Sequence, residues 1–167
     1  CLKKEGLKAV LLVALGLLTA GLIYPFFHET GHTVAALGVG ASVNEFTLLP
    51  LPSIVCNMIN VGNSGRIAVG FGGMILPVLI ALLIPRRRFL LWYLKLLLLG
   101  ISLLAFGISF ISVAFAVNPQ DDMVQVLKFW GCNKPVLLAV LGIGFAALLA
   151  IIIRNKPFNR ILEFFNV

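Results

Sequence analysis

His28, Glu29 and His32, in the stretch "IYPFFHETGHTVAAL", are the residues of this chain best suited to do chemistry. On an α-helix the two histidines stand one turn and about 40° apart, so both imidazoles can reach a single metal ion. The pattern is HExxH, in which two histidines bind zinc and the glutamate between them acts as general base. The chain has two histidines in all, and both fall in this motif. Its surroundings, Ile23 to Leu37, are otherwise almost wholly apolar. An ionisable side chain at membrane depth is costly unless it is paired or metal-bound. The plainer reading, polar side chains bonding packed helices together, does not explain why both histidines share one spacing.

Catalytic zinc takes three protein ligands and leaves a fourth position for water. The acidic residues are Glu5, Glu29, Glu45, Asp121, Asp122 and Glu163, of which Glu5 and Glu163 sit in charged terminal segments. Asp121 and Asp122 lie at the end of the third apolar segment, on the side where the first segment exits, so the topology brings them to the histidines. Either is a candidate metal ligand, leaving the other solvated or hydrogen-bonded to a histidine. Glu45, Cys56 and Cys132 are weaker alternatives. The pair can also be a solvated turn or the N-cap of a short helix.

These residues need elements to hold them, and the composition decides which kind. Of 167 residues, 60% are hydrophobic and 11% charged, against about 25% charged in a soluble domain. That leaves too little polar surface to cover a water-soluble globule. The expectation is a single all-α integral membrane domain over 1–167, multi-pass, with about four transmembrane helices at roughly 7–41, 67–84, 89–117 and 136–153. The first apolar run is too long for a cleaved signal peptide. Cys1, Cys56 and Cys132 form no CxxC pair and read as separate thiols.

Between the first two spans, "SVNEFTLLPLPSIVCNMINVGNSG" alternates polar and apolar residues around Val43–Leu48 and carries Pro50 and Pro52. It predicts a short strand or hairpin at the membrane surface. After the third span, a turn at Asn118–Pro119 precedes a short amphipathic helix with Met123, Val126, Leu127 and Trp130 on one face. Pro25, one turn before His28, is expected to start or kink its helix.

The net charge of +7 comes from clusters beside apolar runs, "KKEGLK", "PRRR" and "RNKPFNR", which is how membrane helices are anchored. A nucleic-acid partner is not expected. Those clusters hold three basic residues each, nine of the 13, and place both termini and "PRRR" on the cytoplasmic face. The loop after the histidines and "NPQDD" then share the opposite face. Lys95, within reach of "PRRR", can snorkel to that interface.

"HETGH" in an apolar helix, a strand-like loop, the glycine-rich "VGFGGMILPVL" and an Asn-Pro…Asp end to a later span together resemble the site-2 proteases, intramembrane zinc metalloproteases. The likeness runs from about Leu17 to Val126 and is nearest to minimal members with little beyond the catalytic core. The resemblance implies His28 and His32 as zinc ligands, Glu29 as catalytic base and Asp122 as third ligand, with Asn118 and Pro119 forming the turn that sets it. Gly70, Gly72 and Gly73 are expected to let the second span pack closely on the catalytic helix, and Gly31 to leave room beside the metal. Three features depart from the family pattern. Met123 follows Asp122 where a glycine is common, the second span lacks an asparagine, and the charge count puts the site away from the cytosol.

The implied substrate is a transmembrane protein or peptide, cut in the bilayer after local unwinding exposes its carbonyls, with Val43–Leu49 offering a strand edge to hold it. The chain alone, or within a larger membrane complex, fits this reading. The rival from another class is a catalytically inactive scaffold or client-binding subunit. A metal transporter should spread polar positions over several spans, and the second and fourth show almost none.

Overall fold

The computed structural model describes residues 2–50, 52–130 and 133–165, without the side chains of Leu2, Lys3 and Trp130. Cys1, Cys132 and the expected Trp130 face lie outside the described residues. Helix α1 (Leu2–Leu18) continues into α2 (Tyr24–Gly38) through a π-helical turn, Thr19–Ile23. Pro25 explains the turn. It has no N–H to donate, and its ring would crowd the carbonyl four residues back in a regular helix. The backbone widens just before it, so that the Tyr24 N–H reaches Thr19 O. Thr19 is fully buried and donates its hydroxyl to Leu15 O at 2.7 Å. The helix therefore passes through Pro25 and carries His28 to His32 on regular α-geometry.

A two-stranded antiparallel hairpin follows, β1 (Ser42–Thr47) with β2 (Ser53–Asn57), with a bulge between Val43 and Glu45. Phe26 of α2 meets Phe46 of β1 edge-to-face at 6.3 Å. Arg66 fixes the chain's entry into the next helix. It donates to Val61 O at 3.0 Å and Met58 O at 2.9 Å, and its guanidinium lies 5.1 Å from the Phe129 ring.

Helices α3 (Asn63–Leu83) and α4 (Phe89–Phe115), short α5 (Asp122–Trp130), α6 (Lys134–Arg154) and α7 (Pro157–Phe165) complete the chain. Among the described residues, four helical stretches are long and apolar enough to cross a membrane: Lys4–Gly38, Asn63–Leu83, Phe89–Phe115 and Lys134–Phe165. This is the expected fold, four apolar helices with a hairpin after the first. Helices α3 and α6 begin a few residues earlier than expected, at Asn63 and Lys134, and α4 ends slightly sooner, at Phe115. Helix α7 was not anticipated; a break at Asn155–Lys156, with Lys156 at φ 48°, separates it from α6.

Leu98, Leu99, Met123, Val126, Leu137 and Leu141 centre the core, each no more than 1% exposed. Lys95 is buried too. Its ammonium donates to Leu82 O at 3.1 Å and Ile84 O at 3.3 Å, meeting carbonyls that the end of α3 leaves without helical partners. Lys95 thus points to the expected end of the bundle, but bonds backbone there. At that end Lys8 donates to Phe164 O at 2.8 Å, and the Phe89 and Phe164 rings stack at 3.9 Å. The N-terminal helix, the α3–α4 turn and α7 meet there, as the basic clusters implied.

Candidate metal centre

One turn of α2 places His28 and His32 over α3, with ring centroids 4.7 Å apart and planes at 86°. His32 Nδ1 donates to Val69 O at 2.7 Å, in a buried bond. That bond fixes the tautomer and leaves the Nε2 lone pair free as a ligand. The glycines of α3 make the approach possible. A Cβ on Gly73 would overlap the His32 imidazole and come within 2.9 Å of His28 Cε1. Without it, the ring reaches the Val69 carbonyl four residues earlier, which a side chain at this position would obstruct. Gly72 lies against the Gly31 backbone, so α2 and α3 touch main chain to main chain, and Gly70 faces Val126 of α5. The close approach to α2 expected of these glycines is present at Gly72 and Gly73, whereas Gly70 packs on α5 instead. Gly31, however, faces the α3 backbone and does not open space beside the histidines.

The aspartates divide their work. Asn118 forms the turn before α5, its carboxamide oxygen accepting from Gln120 N at 3.1 Å. Asp121 is the N-cap, its Oδ1 accepting from Met123 N at 2.9 Å and its Oδ2 from the Ser109 hydroxyl at 2.9 Å. Asp121 is thereby committed to α4 and α5 and stays out of the histidine cluster. Asp122, the first helical residue, turns inward. Its Oδ2 lies 3.2 Å from His28 Nε2 and 3.3 Å from His32 Nε2, and the two imidazole nitrogens are 3.1 Å apart. Burial alone would raise the Asp122 carboxyl. In the metal-free site, protonated His28 and His32 donating from Nε2, and their charge, hold it well below the usual carboxylate range; a bound cation would take the place of those protons.

His28, Glu29, His32 and Asp122 share an open cleft of about 250 Å³ with Val69 and with Ile54 and Cys56 of β2. Glu29 is half-buried and faces the Ile54 backbone amide. The strand at the cleft is β2, not the Val43–Leu49 segment expected to offer an edge. Alternation explains the choice: Ile54 and Cys56 turn inward while Ser53, Val55 and Asn57 are exposed. Cys56 is a free thiol raised by burial, with Glu29 adding to the shift. Cys56 lies outside the three-residue cluster that can hold a metal, His28, His32 and Asp122. Glu45 is exposed and accepts from Thr47 Oγ1 at 3.1 Å.

The donor set suits a small divalent cation. Tetrahedral zinc, with bonds of roughly 2.0–2.1 Å, separates its ligand atoms by about 3.3–3.4 Å. The three edges here, 3.1, 3.2 and 3.3 Å, approach that spacing. Two imidazoles and one carboxylate are a zinc donor set, although they also suit other divalent metals. His28 Nδ1 is buried without a partner among the described residues, so the second imidazole is held by packing, with Tyr24 stacked on it at 6.0 Å. No family model matches the chain, and no curated protein or solved structure matches it.

Proposed function

We propose that this chain is a multi-pass integral membrane zinc metalloprotease of the site-2 protease type, cutting peptide bonds of transmembrane substrates. One observation carries the reading: His28 Nε2, His32 Nε2 and Asp122 Oδ2 converge within 3.3 Å of one another, beside Glu29 in the same cleft. His28, His32 and Asp122 would hold the ion. Zinc at such a site lowers the pKa of a water toward neutrality and polarises a carbonyl.

The remaining chemistry belongs to the chain. Glu29 takes a proton from the attacking water and returns it to the leaving amine. Val69 O holds the His32 tautomer that presents Nε2. The outer edge of β2, at Ile54 and Cys56, can pair with an unwound substrate by strand addition, setting an extended backbone alongside Glu29. A helical substrate hides its carbonyls in its own hydrogen bonds, so such an edge favours the form that can be cut.

Glu29→Gln separates the protease from an inactive scaffold. In reconstituted vesicles with a transmembrane peptide, the variant should lose about 10²–10⁴-fold in cleavage rate and retain its zinc. A scaffold would show no Glu29-dependent cleavage, and its activity in cells would survive the change.

A further inference from the structure

The second charged cluster of the molecule lies at the opposite end of the bundle. Arg86, from the α3–α4 turn, and Arg154, Lys156 and Arg160, around the α6–α7 break, line one open cleft of about 390 Å³. Trp92, 1% exposed, lies against it, with the Arg160 guanidinium 5.2 Å from its ring. Arg160 also donates to Arg86 O at 3.2 Å, drawing α7 onto the turn. Glu163 is the one carboxylate in the lining. Among the described residues, none of the four cations forms an ion pair; those found join Lys8 to Glu5 and the two histidines to Asp122. Four like charges around one small space repel one another unless an anion enters.

We infer that this cleft binds the phosphate headgroup of an anionic phospholipid. Three guanidiniums present planar forks of donors that match phosphate oxygens better than ammonium groups do. The position favours a lipid over a soluble phosphate, and this step rests on reading the chain as membrane-spanning. Helix α7 turns Arg160 to the cleft while its Phe158 and Leu162 stay 80% and 49% exposed. That is an amphipathic helix lying in the interface, apolar face toward acyl chains. A basic pocket between helices at that depth suits an anionic headgroup. Asn155 adds selectivity. It is 6% exposed, donates to Ile151 O at 2.7 Å, and keeps a buried Oδ1 without a partner among the described residues. An acceptor beside a phosphate site suits the glycerol hydroxyls of phosphatidylglycerol.

The test titrates the purified full chain in detergent micelles with phosphatidylglycerol, phosphatidylcholine or inorganic phosphate, and counts bound lipid by native mass spectrometry. Phosphatidylglycerol should bind in preference to phosphatidylcholine. The pair Arg154→Gln/Arg160→Gln should weaken it by about 30-fold at low salt, near fivefold per charge. Arg154→Lys/Arg160→Lys, which keeps the charge but not the guanidinium forks, should bind more tightly than the glutamine pair and less tightly than the wild type, which controls for misfolding. Arg87→Gln/Arg88→Gln removes as much charge from the same end without touching the cleft lining, and should leave binding unchanged. Equal loss in both glutamine pairs, or equal binding of phosphatidylcholine, would overturn the site in favour of a diffuse surface field. Inorganic phosphate that binds as tightly and displaces the lipid would overturn the lipid assignment.

Discussion

Asp121 caps a helix and Asp122 faces two imidazoles, although the same side chain stands at both positions. The difference is register. The N-cap position aims its carboxylate at the amides of the first turn, and the next residue projects away from them. Asp122→Ala should abolish stoichiometric zinc. Asp121→Ala should retain zinc at one per chain, with stability lower by about 1 kcal/mol from the lost cap and zinc affinity lower by about 10–100-fold, since α5 no longer holds Asp122 firmly. A zinc competition titration on both variants, beside a thermal melt, checks the pair. Affinity losses of equal size would mean that both carboxylates bind metal. The sequence singled out His28, Glu29 and His32 as candidates because their spacing and rarity are local facts. Residue chemistry left both aspartates open and only the family resemblance favoured Asp122, because the Ser109–Asp121 bond that decides the register joins two separate elements.

At the scale of elements, α3 acts as the surface on which the proposed metal centre is built. Gly73 leaves space for both rings and exposes the Val69 carbonyl to His32. Gly73→Ala forces the imidazoles aside and should cost about 1–3 kcal/mol as overpacking, with zinc lost. Gly100→Ala, on α4 where an added Cβ meets nothing within 4 Å, should leave zinc content unchanged. Metal analysis of the two proteins separates a specific clearance from general glycine intolerance. The glycine-rich span was legible as a close-packing element, but the partner of each glycine was not. Gly31 faces α3 and not the open side of the histidine cluster, which depends on how α2 is rotated about its axis. Helix α7 was missed because "RNKPFNR" reads as an anchoring charge cluster, although Phe158, Leu162 and Phe165 recur at helical spacing behind it. The strand beside the cleft is β2 and not β1, because pairing order in a hairpin says nothing of which strand faces a neighbouring helix.

The whole molecule keeps its candidate metal ligands at one end and its cationic clusters at the other. Composition alone implied four spans, and the basic clusters implied that both termini and "PRRR" gather together; the contacts of Lys8 and Phe89 with Phe164 bear this out. The separation makes the two ends independently testable. Lys95 binds the end of α3 from a point some twenty residues before the end of α4, roughly 30 Å of helix away from Asp122. Lys95→Met leaves the Leu82 and Ile84 carbonyls short of a charged donor and should destabilise the fold by about 1.5–3 kcal/mol, with zinc affinity unchanged. A melt and a zinc titration on this variant check that the ends are uncoupled; a tenfold change in affinity would show that they are not. Zinc held by His28, His32 and Asp122 would bridge α2 to α5, so saturating zinc should raise the melting temperature of the wild type and not of Asp122→Ala, by the stabilisation expected when a ligand binds only the folded state.

The most direct test of the account is the zinc content of the purified chain, measured on the wild type, Asp122→Ala and Glu29→Gln. Near one zinc per chain in the wild type and in Glu29→Gln, with little in Asp122→Ala, is the expected result. A wild-type protein that holds no zinc after exposure to it, or an Asp122→Ala variant that holds as much, would contradict the assignment of His28, His32 and Asp122 as one metal site.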